Sequence, residues 1–259
     1  MREFYKKIHR SLVLIGVDLL KTKDFVFNIF WFFKCLIEFK SLDNSKKFKL
    51  KILPVLGENR MFAGTINSHY FIQDLFVAQK IFQQKPNKIL DIGSRIDGFV
   101  SNVASFREID IVDIRPLENK ISNINFKQID LTSDISNLKG EYDCITCLHA
   151  IEHFGLGRYG DTIDPDGHLK GIENIYLILE KKGTCYLSFP LGDNRIEFNA
   201  HRVFSLEYIV PVLKKYFTIK TFNYISEFGI LYQNQSINIG MQNNFDCKYG
   251  CAIFILTKE

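Results

Sequence analysis

The chain has 259 residues, of which 46% are hydrophobic and 24% are charged, and its formal net charge is +4. This length allows one large domain, or a medium-sized domain with an appendage, and so modest a charge gives no reason to expect a nucleic-acid partner. Residues 1–60 carry 13 Lys and Arg against 6 Asp and Glu. We therefore expect a basic, helical, aromatic-rich appendage over 1–60 and a folded domain over 61–259.

The most apolar part of the appendage runs from Phe25 to Ile37 and is interrupted by Asn28 and Lys34. It is shorter than the roughly 20 residues that a membrane-spanning helix needs. Two interpretations stay open. The helix packs on the domain or on a second subunit, as in a homodimer, or it lies on a membrane surface through residues 20–40. The residues beyond Lys40 are polar and rich in lysine, and predict a linker over 41–51.

The localisation expected from the sequence is cytoplasmic, at the inner face of the membrane if the helix binds there. No cleavage site follows an apolar core near the amino terminus, so no secretory signal is predicted. Cys144 and Cys147 lie three apart in a strand-like run, which directs them to opposite faces. Buried free thiols in a reducing compartment are therefore favoured over a shared zinc ion.

Elements of two kinds alternate along the domain. Apolar residues at spacings of four, three and four predict a helix from Ser68 that ends before Pro86, namely Phe71, Leu75, Ala78 and Phe82. Further helices are predicted soon after Gly98, over 168–181 with Lys181-Lys182-Gly183 as its cap, and after Ser205 with Pro211 inside it. Strands are predicted over 88–92, 109–113, 125–131, 142–148, 184–189, 217–224 and 251–257. This alternation favours a doubly wound, mostly parallel α/β sheet.

The first strand runs into a turn of small residues around Gly93, and the second strand ends in Asp113. Strand, glycine turn, helix, strand and acid form the layout of a nucleotide-binding βαβ unit, in which the acid holds ribose hydroxyls. The spacing from Gly93 to Gly98 is not G-x-G-x-x-G, and the pair Tyr216 and Lys220 lies far from the strand ends. A nicotinamide oxidoreductase is therefore disfavoured.

Four segments resemble class I S-adenosylmethionine-dependent methyltransferases, over about residues 61–215: 91–99, 112–117, 149–168 and 197–202. The long block at 149–168 is more narrowly similar to a bacterial family of methyltransferase-like proteins linked to surface-polysaccharide gene sets. The resemblance implies a seven-stranded Rossmann-like methyltransferase sheet with an antiparallel last strand. It also implies S-adenosylmethionine as the cofactor.

The resemblance assigns cofactor-binding roles residue by residue. It places the methionine end over Gly93 with Asp91 near its ammonium group, the ribose on Asp113 and the adenine amino group on Asp130. The chain departs from the family at Arg95, which replaces the second glycine of the motif, while Gly98 is displaced. The full predicted set is Asp91, Gly93, Ser94, Arg95, Asp113, Ile114, Asp130, Leu131 and Leu148.

Methyl transfer to a hydroxyl needs alignment and a base that removes the proton. Histidine is the usual base, and four of the six histidines follow the fourth and fifth strands, where ligands bind in such sheets. His149 and His153 are the first candidates because the fourth strand delivers them to the centre of the cleft, and His201 is the third. The predicted substrate-binding residues are Arg158, Tyr159, Asp164, Asp166, His168, Arg195 and Arg202.

Each of these loop residues can instead have a structural role that involves no ligand. The three arginines hold an anionic substrate or are solvated loop charges. The carboxylates Asp161, Asp164 and Asp166 bind Mg²⁺ or Ca²⁺, or 164–167 is a turn that opens the following helix, which we favour. The sequence His149-Ala-Ile-Glu-His153 matches a zinc-peptidase pattern but follows directly on a strand rather than lying in a helix. The glycines at 155–160 are better interpreted as a substrate lid than as a phosphate loop.

Two functions remain. The first is an S-adenosylmethionine-dependent O-methyltransferase acting on a sugar, nucleotide-sugar or surface-glycan hydroxyl, with a loop histidine as general base. The second is a non-catalytic protein of the same fold that serves as an assembly or membrane-docking partner. The acceptor follows from family association alone, because fold does not determine substrate.

Overall fold

The computed structural model describes residues 19–42, 49–57, 69–133, 135 and 138–259. The chain divides into two units, Met1–Thr65 and Ile66–Glu259. Three parts of the sequence-based prediction lie outside the described residues: the basic segment 1–18, the middle of the linker at 43–48, and 58–68 with the predicted helix start at Ser68.

The described residues of the first unit form one long helix, α1 (Leu19–Leu42), and irregular chain over 49–57. The side chain of Asn28 is buried beside Gly57, where a Cβ atom would lie 3.2 Å from Asn28 Nδ2. Large apolar side chains of α1 are exposed, including Phe30 at 71% and Ile37 at 69%. Over the described part of the chain, no helix is both long enough and apolar enough to cross a membrane.

The second unit alternates strands and helices. Its helices are α2 (His69–Gln84), α3 (Ser101–Ala104), α4 (Gly167–Ile178), α5 (Leu206–Lys214) and α6 (Ile237–Gly240). Its strands are β1 (Ile89–Ile92), β2 (Ile109–Asp113), β3 (Ile124–Gln128), β4 (Tyr142–Leu148), β5 (Leu179–Leu191), β6 (Arg195–Glu197), β7 (His201–Val203), β8 (Thr218–Ile225), β9 (Leu231–Tyr232) and β10 (Gly250–Thr257).

Eight strands form one sheet in the order β3-β2-β1-β4-β5-β10-β8-β9. Neighbours among β1 to β5 pair in parallel, whereas β10 is antiparallel to both β5 and β8. The predicted doubly wound, Rossmann-like sheet with an antiparallel last strand is confirmed. The strand count of seven was one too low, because β9 adds two residues to the edge of β8, an element too short to be recognised by alternation.

Each face of the sheet carries its own apolar core. One core gathers side chains of α4 and α5, such as Ile172 and Leu206, and the other gathers Val77 and Ile81 of α2. Cys144 belongs to the second core and Cys147 to the first, so the expected opposite orientation of these buried thiols is confirmed. Since the helices cover both faces, the carboxyl ends of the parallel strands remain as the edge where a ligand can enter.

The predicted helix over α2 is present, but it buries a different face from the predicted one. Phe71, Leu75 and Phe82 are 55%, 43% and 59% exposed, whereas Phe76, Val77 and Ile81 are buried. Apolar residues surround most of this helix, so the spacing alone could not select the face. The buried face also carries the polar side chain of Gln73, which becomes important at the site.

The predicted helix over 168–181 ends earlier, at Ile178, and its predicted glycine cap is wrong. Leu179 is fully buried and pairs with Tyr142, so the chain enters β5 directly. Lys182 takes a left-handed φ of 66° and donates its N–H to the carbonyl of Lys258 at 2.8 Å, which makes the Lys-Lys-Gly stretch an irregularity in the strand. The cation at the end of α4 comes instead from Lys258, whose Nζ donates to the carbonyls of Tyr176 and Leu179.

Two other local elements differ from the expectation. The helix that was to follow Gly98 is preceded by a turn over Ile96–Val100, which is broken at Gly98 (φ −117°, ψ −114°) and leads into α3. The predicted loop between Pro190 and His201 contains the short hairpin of β6 and β7, which packs outside the main sheet. The predicted Ser205 cap is confirmed, since its Oγ accepts the N–H of Tyr208.

Candidate functional site

A cleft of about 790 Å³ opens at the carboxyl ends of β1, β2 and β4. This volume lies within the range of small-molecule and cofactor sites. Most of the predicted cofactor residues line it, together with two of the predicted histidines and two predicted substrate residues. These are Gly93, Ser94, Arg95, Asp113, Ile114, Asp130, Leu131, Leu148, His149, His153, Arg158 and Tyr159.

The turn after β1 needs a glycine at its first position. Gly93 has a φ of 71°, and a Cβ atom there would meet the Cβ of Ala150 at 3.0 Å. Its N–H donates to the carbonyl of Val112 at 2.9 Å, which ties the turn to β2. The backbone therefore lies open toward the cleft at this point, as close approach to a ligand requires.

Asp91 holds this turn from beneath. Its carboxylate accepts hydrogen bonds from Ser94 N at 3.1 Å, Ser94 Oγ at 2.8 Å and Thr146 Oγ1 at 2.6 Å. Complete burial raises the pKa of Asp91 to about 7, although these hydrogen bonds oppose the shift. Asp91 is the one predicted cofactor residue that does not line the cleft.

The acid at the end of β2 is paired with an arginine that was not predicted as part of the site. Arg115 Nε donates to Asp113 Oδ1 at 2.9 Å, and Nη2 donates to Oδ2 at 2.6 Å. The N–H of Arg115 also donates to Oδ1. Asp130, after β3, accepts the N–H and the hydroxyl of Thr132. Both acids thus line the cleft as ordered acceptors.

A buried carboxylate lies between the two leading histidines. Glu152 is 1% exposed, and its Oε1 lies 2.9 Å from His149 Nδ1 and 3.9 Å from His153 Nε2. His149 has a φ of 51°, a left-handed conformation that is uncommon outside glycine and recurs at functional sites. Burial opposes charge on the imidazole, but Cys251 and Glu152 outweigh it and raise the pKa of His149 above its ordinary value.

His153 has the opposite character. Its Nδ1 lies 2.6 Å from the carbonyl oxygen of Ala200, and a carbonyl only accepts, so Nδ1 carries the proton and Nε2 is left with its lone pair. Burial lowers the pKa of His153, although Glu152 opposes the shift. At neutral pH the ring is therefore uncharged, with Nε2 able to accept a proton. Of the two histidines in the cleft, His153 has the properties of a base.

The loop after His153 is organised by Asp161. Its Oδ2 accepts the N–H groups of Gly155 at 2.8 Å and Gly157 at 3.1 Å, and Oδ1 accepts that of Tyr159 at 3.2 Å. The ring of Tyr159 then lies 4.5 Å from the guanidinium of Arg115 and 5.1 Å from that of Arg158. This loop, predicted as a lid, covers one side of the cleft with an aromatic ring between two cations.

Two predicted substrate residues hold the fold instead. Arg202 is 3% exposed, and its Nη1 donates to Phe154 O at 2.6 Å while Nη2 donates to Pro165 O at 3.0 Å, so it joins both ends of the 154–165 loop. His168 is buried with Nε2 2.7 Å from Tyr208 Oη. Burial, with Arg202 nearby, lowers the pKa of His168 to about 4. Neither residue lines the cleft.

The remaining predicted residues also lie outside the cleft. Arg195 pairs with Glu197 and donates to the carbonyl of Lys248, and His201 Nε2 lies 3.3 Å from Glu197 Oε2. Asp164 pairs with Lys170 and accepts the N–H of Asp166, and the carbonyl of Asp164 accepts that of Gly167. The 164–167 turn that opens α4 is therefore confirmed.

Within the described ranges, no group of three or more His, Cys, Asp or Glu side chains is arranged to hold a metal ion. Asp161 and Asp164, two of the carboxylates considered for Mg²⁺ or Ca²⁺, are occupied by backbone N–H groups and by Lys170. Both therefore act as structural acceptors of the loop.

Several cleft residues were not predicted from the sequence. The missed side chains are Tyr70, Gln73 and Asp74 of α2, together with Arg115 and, behind the histidines, Glu152. Asp74 and Gln73 lie on α2, and the spacing of its apolar residues did not predict which face of this helix is buried. Arg115 follows Asp113, the predicted ribose-binding acid, by two residues, which was the only local signal.

Comparisons with known proteins agree with this architecture. A family model described as "Caenorhabditis protein of unknown function, DUF268" matches residues 100–249. No curated protein matches the sequence. Among solved structures, the N-methyltransferase NodS of Bradyrhizobium japonicum, in complex with S-adenosylhomocysteine, is similar with a TM-score of 0.50 and 12% identity, over 74% of this chain and 89% of NodS. A candidate sarcosine dimethylglycine methyltransferase of Galdieria sulphuraria gives a TM-score of 0.52 and 14% identity, over 73% and 86% of the two chains. At these identities the similarity shows a shared fold.

Proposed function

This chain belongs to the DUF268 family, and we propose that it is an S-adenosylmethionine-dependent O-methyltransferase that acts on a hydroxyl of a sugar, nucleotide-sugar or surface glycan. One observation carries the proposal. A single cleft combines an open glycine turn at Gly93, an acid at the end of β2 and a neutral histidine, His153, with an unprotonated ring nitrogen.

The cleft fits the cofactor in size and in the chemistry of its walls. Asp113 supplies acceptors for ribose hydroxyls, Asp130 supplies an acceptor for an amino group, and Gly93 keeps the floor of the turn free of a side chain. Ile92, Val112 and Leu131 add apolar surface. When bound, the cofactor supplies an electrophilic methyl group on a sulfonium, and the sulfur leaves as a neutral thioether.

His153 is the base of the proposed reaction. Its Nε2 accepts the proton of the acceptor hydroxyl as the oxygen forms its bond to the methyl carbon. The imidazolium formed in this way is stabilised by Glu152, whose Oε1 lies 3.9 Å from Nε2, while the Ala200 carbonyl holds the ring through Nδ1. His149, whose pKa is raised, acts as a cationic donor in the cleft and not as a base.

The acceptor class rests on the loop beside His153. Tyr159 presents an aromatic ring, and Arg158 and Arg115 lie next to it as forked donors suited to a phosphate. The similarity of residues 149–168 to a family linked to surface-polysaccharide gene sets supports a role in polysaccharide biosynthesis. The exposed aromatic side chains of α1 support peripheral membrane contact through residues 20–40 at the inner, cytoplasmic face, or a homodimer through the same helix.

The first test is calorimetric titration of the full chain with S-adenosylhomocysteine, followed by transfer of labelled methyl groups to a panel of nucleotide-sugars. We expect binding at micromolar strength. His153→Gln should lower kcat by about 10²–10⁴-fold, the usual contribution of a general base, with little change in S-adenosylhomocysteine affinity. His168→Gln, a buried histidine outside the cleft, is the matched control and should retain turnover.

Two outcomes would contradict this proposal. The first is a wild-type protein that is folded but does not bind S-adenosylhomocysteine, which would exclude a methyltransferase that uses this cofactor. Tight binding without transfer to any acceptor would favour the second function, a non-catalytic assembly or membrane-docking partner of the same fold.

A further inference from the structure

We propose that Asp74 of α2, and not Asp91, is the carboxylate that binds the ammonium group at the methionine end of the cofactor. This inference rests on the proposed function and deepens it, since it assigns a cofactor contact to a helix that lies outside the βαβ unit. It also gives the two carboxylates different roles: Asp91 shapes the glycine turn, and Asp74 contacts the ligand.

Asp91 is unsuitable because it lies out of reach of a ligand in the cleft. It is fully buried beneath the turn, it does not line the cleft, and both of its oxygens accept hydrogen bonds from Ser94 and Thr146. Bringing an ammonium group to it would require the turn to open. A carboxylate that holds its own loop in this way positions the backbone and does not reach the ligand.

Asp74 lies on the cleft side of the same turn. It lines the cleft, and its Oδ2 approaches Gly98 so closely that a Cβ atom on this residue would lie 2.6 Å away. Glycine at 98 thus leaves room for the carboxylate against the turn. The space beside Gly98, the glycine displaced from its place in the family motif, is used by an acid from α2.

The orientation of Asp74 is fixed by a buried chain of hydrogen bonds. Gln73 Oε1 accepts from Ser188 Oγ at 2.5 Å and from Cys251 Sγ at 3.4 Å, so the amide is turned with Nε2 toward Asp74 Oδ1, at 3.0 Å. Gln73 is 1% exposed and is part of the core that α2 shares with the sheet. A carboxylate supported in this way is preorganised for a ligand.

Among the residues that the structure describes, Asp74 forms no salt bridge with a lysine or an arginine; its carboxylate is hydrogen-bonded to Gln73 and to the backbone of Phe99, and His149 acts on it through its charge. The other carboxylates of the cleft are satisfied: Asp97 by Arg95, Asp113 by Arg115, Asp130 by Thr132 and Asp161 by backbone N–H groups. Burial raises the pKa of Asp74, which shows that its charged form is under-stabilised. An arriving ammonium group would form the direct ion pair that this half-buried carboxylate does not make with a lysine or an arginine in the described structure.

The test compares two ligands that differ in the amino-acid end. S-adenosylhomocysteine carries the ammonium group, and 5′-methylthioadenosine lacks the whole amino-acid part. We expect calorimetry of Asp74→Asn to show at least a tenfold loss for the first ligand and no loss for the second. Asp91→Asn disturbs the turn and should weaken both ligands together. Because burial penalises the Asp74 charge, Asp74→Asn should also raise the melting temperature at neutral pH while it weakens binding, which a purely structural residue would not do.

The outcomes distinguish this inference from the proposed function. Wild-type binding of S-adenosylhomocysteine with unchanged affinity in Asp74→Asn would overturn the role of Asp74 and leave the methyltransferase proposal intact. An equal loss for both ligands in Asp74→Asn would likewise overturn it. A wild-type protein that is folded but binds neither ligand would overturn both.

Discussion

The guanidinium of Arg115 bonds to both carboxylate oxygens of Asp113, with Nε 2.9 Å from Oδ1 and Nη2 2.6 Å from Oδ2. The same guanidinium lies 4.5 Å from the ring of Tyr159, which packs edge-on to His153 at 5.5 Å. A continuous line of contacts therefore joins the predicted ribose-binding acid to the proposed base. The proposed cofactor and acceptor ends of the cleft therefore share one wall.

Asp113→Asn keeps the shape of the side chain and removes its charge. We expect S-adenosylhomocysteine affinity to fall by about tenfold or more, because hydrogen bonds to a charged group contribute roughly 1.5–3 kcal/mol. Isothermal calorimetry measures the change. Glu141→Gln, which alters an exposed pair with Lys88 away from the cleft, is the control, and equal affinities in the two variants would contradict the ribose assignment.

Gly155 and Gly160 form a matched pair in the loop over the cleft. Both have left-handed φ, at 77° and 84°, so alanine at either position costs about 1–2 kcal/mol of backbone strain. At Gly155 the new Cβ would also overlap the carbonyl oxygen of Asp164, whereas at Gly160 it meets nothing within 4 Å. Chemical denaturation should show a clearly larger loss of unfolding free energy for Gly155→Ala. Equal losses would show that the loop does not have the described packing.

Arg202→Lys tests the structural role of a residue first predicted to bind substrate. A lysine cannot bridge the carbonyls of Phe154 and Pro165 as the guanidinium does, and two strong hydrogen bonds are lost. We expect the free energy of unfolding to fall by about 2–4 kcal/mol. Arg195→Lys, on an exposed residue that pairs with Glu197, should have little effect. A destabilisation of similar size in both would count against this assignment.

The lowered pKa of His168 predicts how the stability of the fold depends on pH. Burial lowers its pKa from 6.5 to about 4, so between these values the unfolded chain binds a proton that the folded chain does not. Stability should therefore fall as the pH is lowered from 6.5 toward 4. Thermal melts across this range should be flatter for His168→Gln, which removes the titrating group. A variant with the wild-type pH dependence would assign the effect to other groups.

The elements set by local pattern were predicted well. The bounds of β2 and β4 match the sequence prediction, since two mostly apolar runs end at Asp113 and Leu148. The placement of Gly93 at a turn, which lines the cleft, followed from a strand that meets a small-residue sequence. In each case the information lies within a few neighbouring residues.

The roles of Arg202, Asp74 and Glu152 could not be predicted in this way. Arg202 resembles a loop cation in sequence, and only the return of the chain at 154–165 encloses its guanidinium. Asp74 becomes part of the site because α2 turns its Gln73 face toward the sheet, although Phe71 and Leu75 offered an equally apolar face. These roles depend on tertiary contacts between segments that are distant in the sequence, and local sequence patterns do not predict such contacts.

The position of β10 between β5 and β8 has a consequence for how the sheet folds. β8 and β9 precede Gly250–Thr257 in the chain, yet they join the parallel strands only through β10, which pairs with both β5 and β8. Without β10, β8 and β9 keep only their own short antiparallel pairing, and the edge of β5 is open. Completion of the sheet and the anchoring of α4 by Lys258 therefore depend on the same carboxyl-terminal strand.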